Sequence, residues 1–116
     1  MSDTELKAAF TELRNMLAKH AKGRAVLHDT ADHFYVNEAT PDAKGKAVFF
    51  GAVKIGTGKV AFHLMPVYAH PELLAKISPE LKKRMQGKSC FNFKNVDPAL
   101  FRELEGVVKA SAATKP

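Results

Sequence analysis

Residues 46–65, KAVFFGAVKIGTGKVAFHLM, read as two strands folded back on each other. Lys46–Ile55 and Lys59–Met65 are rich in branched and aromatic side chains, and Gly56, Thr57 and Gly58 between them form a short glycine-rich turn. Val60, Phe62 and Leu64 alternate with Ala61, His63 and Met65. Both faces are largely apolar, which places this hairpin in the middle of a sheet. Gly51 inside the first strand signals a bulge or the close approach of another element.

On the N-terminal side, residues 39–45 have loop composition. Before them, Arg24–His28 and His33–Glu38 read as shorter strands around the polar turn Asp29–Asp32. Phe34 and Val36 share one face of the second strand, Tyr35 and Asn37 the other. The chain opens with an amphipathic helix over Asp3–Ala21. Its apolar stripe is Leu6, Phe10, Leu13 and Leu17, with Ser2 and Glu5 as a capping box and Gly23 near the stop.

On the C-terminal side, Pro71–Ile77 forms one short helix, and Ser78 with Pro79 restarts a second that runs to Gln86, stopped by Gly87. Leu81 and Met85 share its inward side. Ser89–Phe93 is a strand with Phe91 and Phe93 on the core face and Cys90 and Asn92 on the other. Asp97 and Pro98 open a last helix with the stripe Leu100, Phe101, Leu104, Val107 and Val108, and residues 110–116 fray. The expected fold is α+β: a mostly antiparallel five-stranded sheet packed with N- and C-terminal helices, with two short helices before the last strand. A chain of 116 residues suits one domain, 1–116.

The composition, 46% hydrophobic and 26% charged, is that of an ordinary globular chain and excludes a disordered one. Cys90 is the single cysteine, so neither an internal disulfide nor a multi-cysteine metal site can form within one chain. A reducing, cytoplasmic setting fits. The N-terminal residues lack a secretory pattern, and no apolar run approaches the roughly 20 residues of a membrane span.

Charge is concentrated. Between Leu73 and Lys94, six basic side chains stand against Glu80 alone, which is most of the net +6. Lys82, Lys83, Arg84 and Lys88 are the candidate patch for an anionic ligand or an acidic protein surface; the other reading is a solvated helix end, where cations are favoured anyway. Gly87, Lys88 and Ser89 look like the end of a phosphate loop, but Lys82 stands where its first glycine belongs, and the helix precedes instead of following. His28, Asp29, Asp32 and His33 around one turn are candidate metal ligands, or simply a turn built with aspartates. His63 and Tyr68 are candidates for a small-molecule site, with a hydrogen-bonded core histidine as the alternative. No base is paired with Cys90 in the sequence, so the thiol reads as a small filler. Nucleic acid is compatible with the cations and aromatics around Ser89–Phe93, but no nucleic-acid motif of established spacing is present.

Phe50–Gly56, Phe62–Tyr68 and Leu81–Phe93 together resemble the YdhG-like family of small bacterial domains, over roughly residues 46–108. The resemblance implies an antiparallel sheet between terminal helices, a loose grouping with frataxin-like proteins, and iron as a possible cargo, since some relatives are described as intracellular iron chaperones. Frataxin-type iron binding uses an acidic first helix and strand edge. Here the first helix is charge-balanced, and no iron ligand transfers residue by residue.

The functional expectation is a small soluble intracellular binding module without catalytic residues, whose basic face takes an anionic ligand or partner. The alternatives are frataxin-like iron binding or delivery, and a small-molecule enzyme using His63.

Overall fold

The computed structural model describes residues 3–75, 77–87 and 89–113. Its elements run α1 (Asp3–Ala18), β1 (Ala25–Asp29), β2 (His33–Asn37), β3 (Phe49–Gly56), β4 (Lys59–Leu64), α2 (Met65–Ala69), a 3-10 turn (Pro71–Leu74), α3 (Pro79–Lys82), β5 (Met85–Gln86), β6 (Cys90–Phe93) and α4 (Pro98–Ala113). The α+β class and the antiparallel sheet are as expected. The strand count is not: one sheet holds six strands in the order β1-β2-β3-β4-β6-β5.

The additional strand lies inside the expected second short helix. That helix begins as predicted, with Ser78 Oγ accepting from the Leu81 amide at 3.2 Å and Pro79 in the first turn. It ends at Lys82 instead of Gln86. Met85 and Gln86 then pair with Phe91 and Cys90 of β6. The physical reason is the sheet edge: without β5, one side of β6 would leave its backbone groups unpaired. The spacing of Leu81 and Met85 fits a helix equally well, so periodicity alone chooses wrongly. Gly87, expected as a helix stop, sits at φ +77° in the turn between β5 and β6, a conformation that disfavours any side chain. A further short helix, α2, follows β4 directly, so the segment before β6 holds three short helical turns instead of two.

The hairpin β3–β4 is the sheet's centre, in the register Gly51↔Leu64 through Gly56↔Lys59. Alternation then sorts the side chains into two faces. Phe34, Val53, Phe62 and Phe91 lie in one cross-strand row, and all are buried. This face meets α1, α2, α3 and α4, all of which contribute to a single apolar core. Phe93 meets Phe101 of α4 edge-on at 4.9 Å between centroids. Gly51 answers its sequence signal: a methyl there would lie 3.1 Å from Leu17 Cδ1 of α1.

Arg24, which the sequence offers only as the start of a strand, clips the layers together. Its Nε donates to Glu38 at 2.8 Å, its Nη1 to the His20 carbonyl at 2.8 Å and its Nη2 to the Ala112 carbonyl at 3.2 Å. Its guanidinium lies 4.0 Å above the Phe50 ring. α4 begins with Asp97 Oδ1 accepting from the Leu100 amide, as predicted, and remains helical through Ala113, past the point where fraying was expected. Residues 114–116 and the Ser2 side of the capping box lie outside the described residues. Among the described residues, no helix is long and apolar enough to cross a membrane.

Candidate functional site on the open face of the sheet

The sheet face opposite the core carries no helix among the described residues. Its side chains follow from register. One row crosses all six strands: His28, Tyr35, Ala52, His63, Cys90 and Gln86. The neighbouring row is His33, Lys54, Ala61 and Asn92. Along β4 and β6 the outward residues are half-buried where the inward ones are fully buried.

In the middle of this face the two small residues Ala52 and Ala61 leave a hollow of about 350 Å³. It lies at the lower end of the range of small-ligand clefts, roughly 300–1,000 Å³. Rings stand around it: His33, Tyr35 and Phe49 towards the β1 edge, His63 on β4. Tyr35 and Phe49 stack at 4.9 Å between centroids. His28 and His33 stack at 5.1 Å, and Tyr35 meets both edge-on. Lys54 supplies a cation at the border of the hollow.

Beyond His63 the face turns polar. Cys90 Sγ lies 3.6 Å from His63 Nε2 and 3.7 Å from Asn92 Oδ1. Asn92 Nδ2 donates to Gln86 Oε1 at 2.7 Å, and Lys59 Nζ reaches the same oxygen at 3.4 Å. Burial lowers the His63 pKa below its ordinary 6.5. Burial also raises the Cys90 pKa above its ordinary 9.0, partly opposed by Lys59. At neutral pH the pair is therefore thiol and neutral imidazole, not the thiolate–imidazolium pair of an activated nucleophile. Burial likewise lowers His33, helped by His28 and Lys54 and opposed by Asp32.

The predicted site residues are distributed unevenly around this face. His63 and His33 come to the same hollow, although the sequence offers them in separate hypotheses. Tyr68 does not join them; it is exposed on α2, in a different hollow with Pro71 and Leu74. Of the metal candidates, Asp29 turns to the helix side and pairs with Arg14 at 2.6 Å. Asp32 accepts from Thr30 at 2.9 Å. Among the described residues, no group of three or more His, Cys, Asp or Glu is placed to hold a metal. Lys82 and Lys83 are exposed, and Lys83 and Arg84 share a hollow with Glu80 and Asp97. The concentrated charge of the sequence is thus met in space by carboxylates on α3 and ahead of α4. Lys88 lies outside the described residues.

Phe49, Ala52, Lys54, Ala61 and the pairing of His63 with Cys90 were not legible as parts of a site in the sequence. Alternation puts Ala52, Lys54, Ala61, His63 and Cys90 on the outward side of their strands, whereas Phe49 reaches that side only through the irregularity of register that lets Phe50 turn into the core. What alternation lacks is the strand order that makes β4 and β6 neighbours. The chain matches no protein-family model, no curated protein and no solved structure with which it was compared.

Proposed function

We propose that the protein is a non-enzymatic binding module whose open sheet face takes a small planar anion. The observation that supports this most strongly is the ring-walled hollow over Ala52 and Ala61 with Lys54 at its border. Flat rings beside small side chains give stacking area, and an ammonium group at the border supplies the attraction for charge. The neutral state of Cys90 and His63 favours binding over nucleophilic catalysis. The basic segment Lys82–Arg84, the earlier candidate for the anion, is less well suited, because Glu80 and Asp97 face the same space as Lys83 and Arg84. Iron delivery through His28, Asp29, Asp32 and His33 has less behind it, since both carboxylates already have partners. Kinship with YdhG-like domains belongs to the same proposal and is supported by the α+β layering. A cytoplasmic location belongs to the same proposal, in keeping with a chain that carries one cysteine and needs no disulfide.

Titration with adenosine monophosphate, salicylate and ribose 5-phosphate, followed by backbone amide NMR, tests the reading. The two planar anions should shift the amides of His33, Tyr35, Ala52 and Ala61. Ribose 5-phosphate, which has no flat ring, should leave them in place, and Ala61→Leu should abolish the shifts by filling the hollow. Shifts centred on Lys83 and Arg84, or none with any planar anion, would sink the proposal.

A further inference from the structure

We infer that the natural occupant of the open face is a single strand of nucleic acid lying across the sheet; the inference rests on the reading of that face as a site for planar anions. The hollow fills only the middle of the row that runs from His28 to Gln86 across all six strands. At about 4.8 Å between strands, that row is roughly 24 Å wide. A lone planar anion would leave most of it unused.

The parts to either side of the hollow match what a single strand presents. Towards β1 the hollow's own rings, Tyr35 stacked with Phe49 and His33, continue into His28, which stacks on His33 beyond it. Unpaired bases stack on such rings with little regard to sequence. Towards β5 are the amides of Asn92 and Gln86, joined by the bond from Asn92 Nδ2 to Gln86 Oε1, with the Gln86 Nε2 donors at the exposed end of the pair. Amides of this kind hydrogen-bond to the exposed edges of splayed bases. Lys54 at the hollow, and Lys59 across the hairpin turn, whose Nζ makes only a long 3.4 Å contact to the neutral Gln86 amide, are the cations for phosphates. No carboxylate lines the hollow among the described residues: Asp32 accepts from Thr30 in the β1–β2 turn, and Asp29 is turned to the helix side by Arg14. A duplex keeps its bases stacked on one another, so these rings would have nothing to receive.

Fluorescence anisotropy of the full chain with labelled oligo-uridylate and oligo-thymidylate of two, four and eight nucleotides tests the inference, with a duplex as comparison. Affinity should rise with length and level off within about four to eight nucleotides, as the width of the face requires. With two lysines neutralising phosphates, log K should fall against log salt with a slope of about −1.4, and Lys59→Gln should reduce that slope by about 0.7. Tyr35→Ala should weaken eight-nucleotide binding by roughly ten-fold or more. An amide spectrum of each variant separates lost binding from lost fold. Adenosine monophosphate binding without any gain in affinity with length overturns the strand while leaving the planar-anion site intact. Tighter binding of duplex than of single strand overturns it as well. Failure of both mononucleotide and oligomer removes both readings together.

Discussion

His63 stands opposite Cys90 on neighbouring strands, and its half-burial has a consequence for stability. Its pKa in the folded chain lies below the 6.5 of the unfolded chain because burial disfavours the charged ring. Between the two values the unfolded state holds more protons, so stability rises with pH through that window. His63 therefore adds its full share above about pH 6.5, and that share is lost as pH falls through the lowered folded value. His33 acts in the same sense. Urea unfolding between pH 7.5 and 5 should show the midpoint falling as the medium is acidified, and His63→Gln should flatten that trend. An unchanged pH profile in the variant would show that the imidazole is better hydrated than its surroundings imply. The histidine's outward direction was legible from strand alternation, but its sulfur partner, 27 positions along the chain, was not.

The contact of α1 with β3 depends on one missing side chain. A Cβ at Gly51 would lie 3.0 Å from the His63 carbonyl oxygen and 3.1 Å from Leu17 Cδ1. The oxygen belongs to the neighbouring strand's backbone and cannot move without disturbing the hairpin. Gly51→Ala should therefore cost about 1–3 kcal/mol, the usual range for overpacking, read as a lower denaturant midpoint. A midpoint equal to the parent's would mean that α1 sits on the sheet more loosely than its burial suggests. Gly51 was conspicuous in the sequence as an interruption of a strand, yet nothing local named Leu17 as the neighbour. β5 shows the opposite failure. Its two residues carry a helix-compatible spacing, and only the unfilled edge of β6 turns them into a strand.

For the molecule as a whole, the decisive feature is that all the helices share one apolar core on one side of the sheet. Fully buried Leu13, Phe62, Leu81 and Leu104 come from α1, β4, α3 and α4 respectively. Such a core predicts one cooperative unfolding transition. Far-ultraviolet circular dichroism and the NMR signals of the core methyl groups should lose native character at the same temperature. Leu104→Ala should lower that shared midpoint, at a cost of about 2–5 kcal/mol. Earlier melting of α4 in either protein would show that the last helix is a separate unit. One-sided coverage also leaves the other face open, so the site and the core are two results of the same layering.

Local pattern was enough for the class of fold, the central hairpin, the caps at Ser78 and Asp97 and the inward sets Phe34/Val36, Phe62/Leu64 and Phe91/Phe93. These rest on local periodicity and on hydrogen bonds spanning a few residues. The sixth strand, the clip made by Arg24 and the assembly of His28, His33, Tyr35, Phe49, His63, Cys90 and Asn92 on one face emerged with the folded chain. Each of these depends on which strands become neighbours. Strand neighbours are chosen by pairing edges and by burying a shared core, over separations that a local pattern does not span.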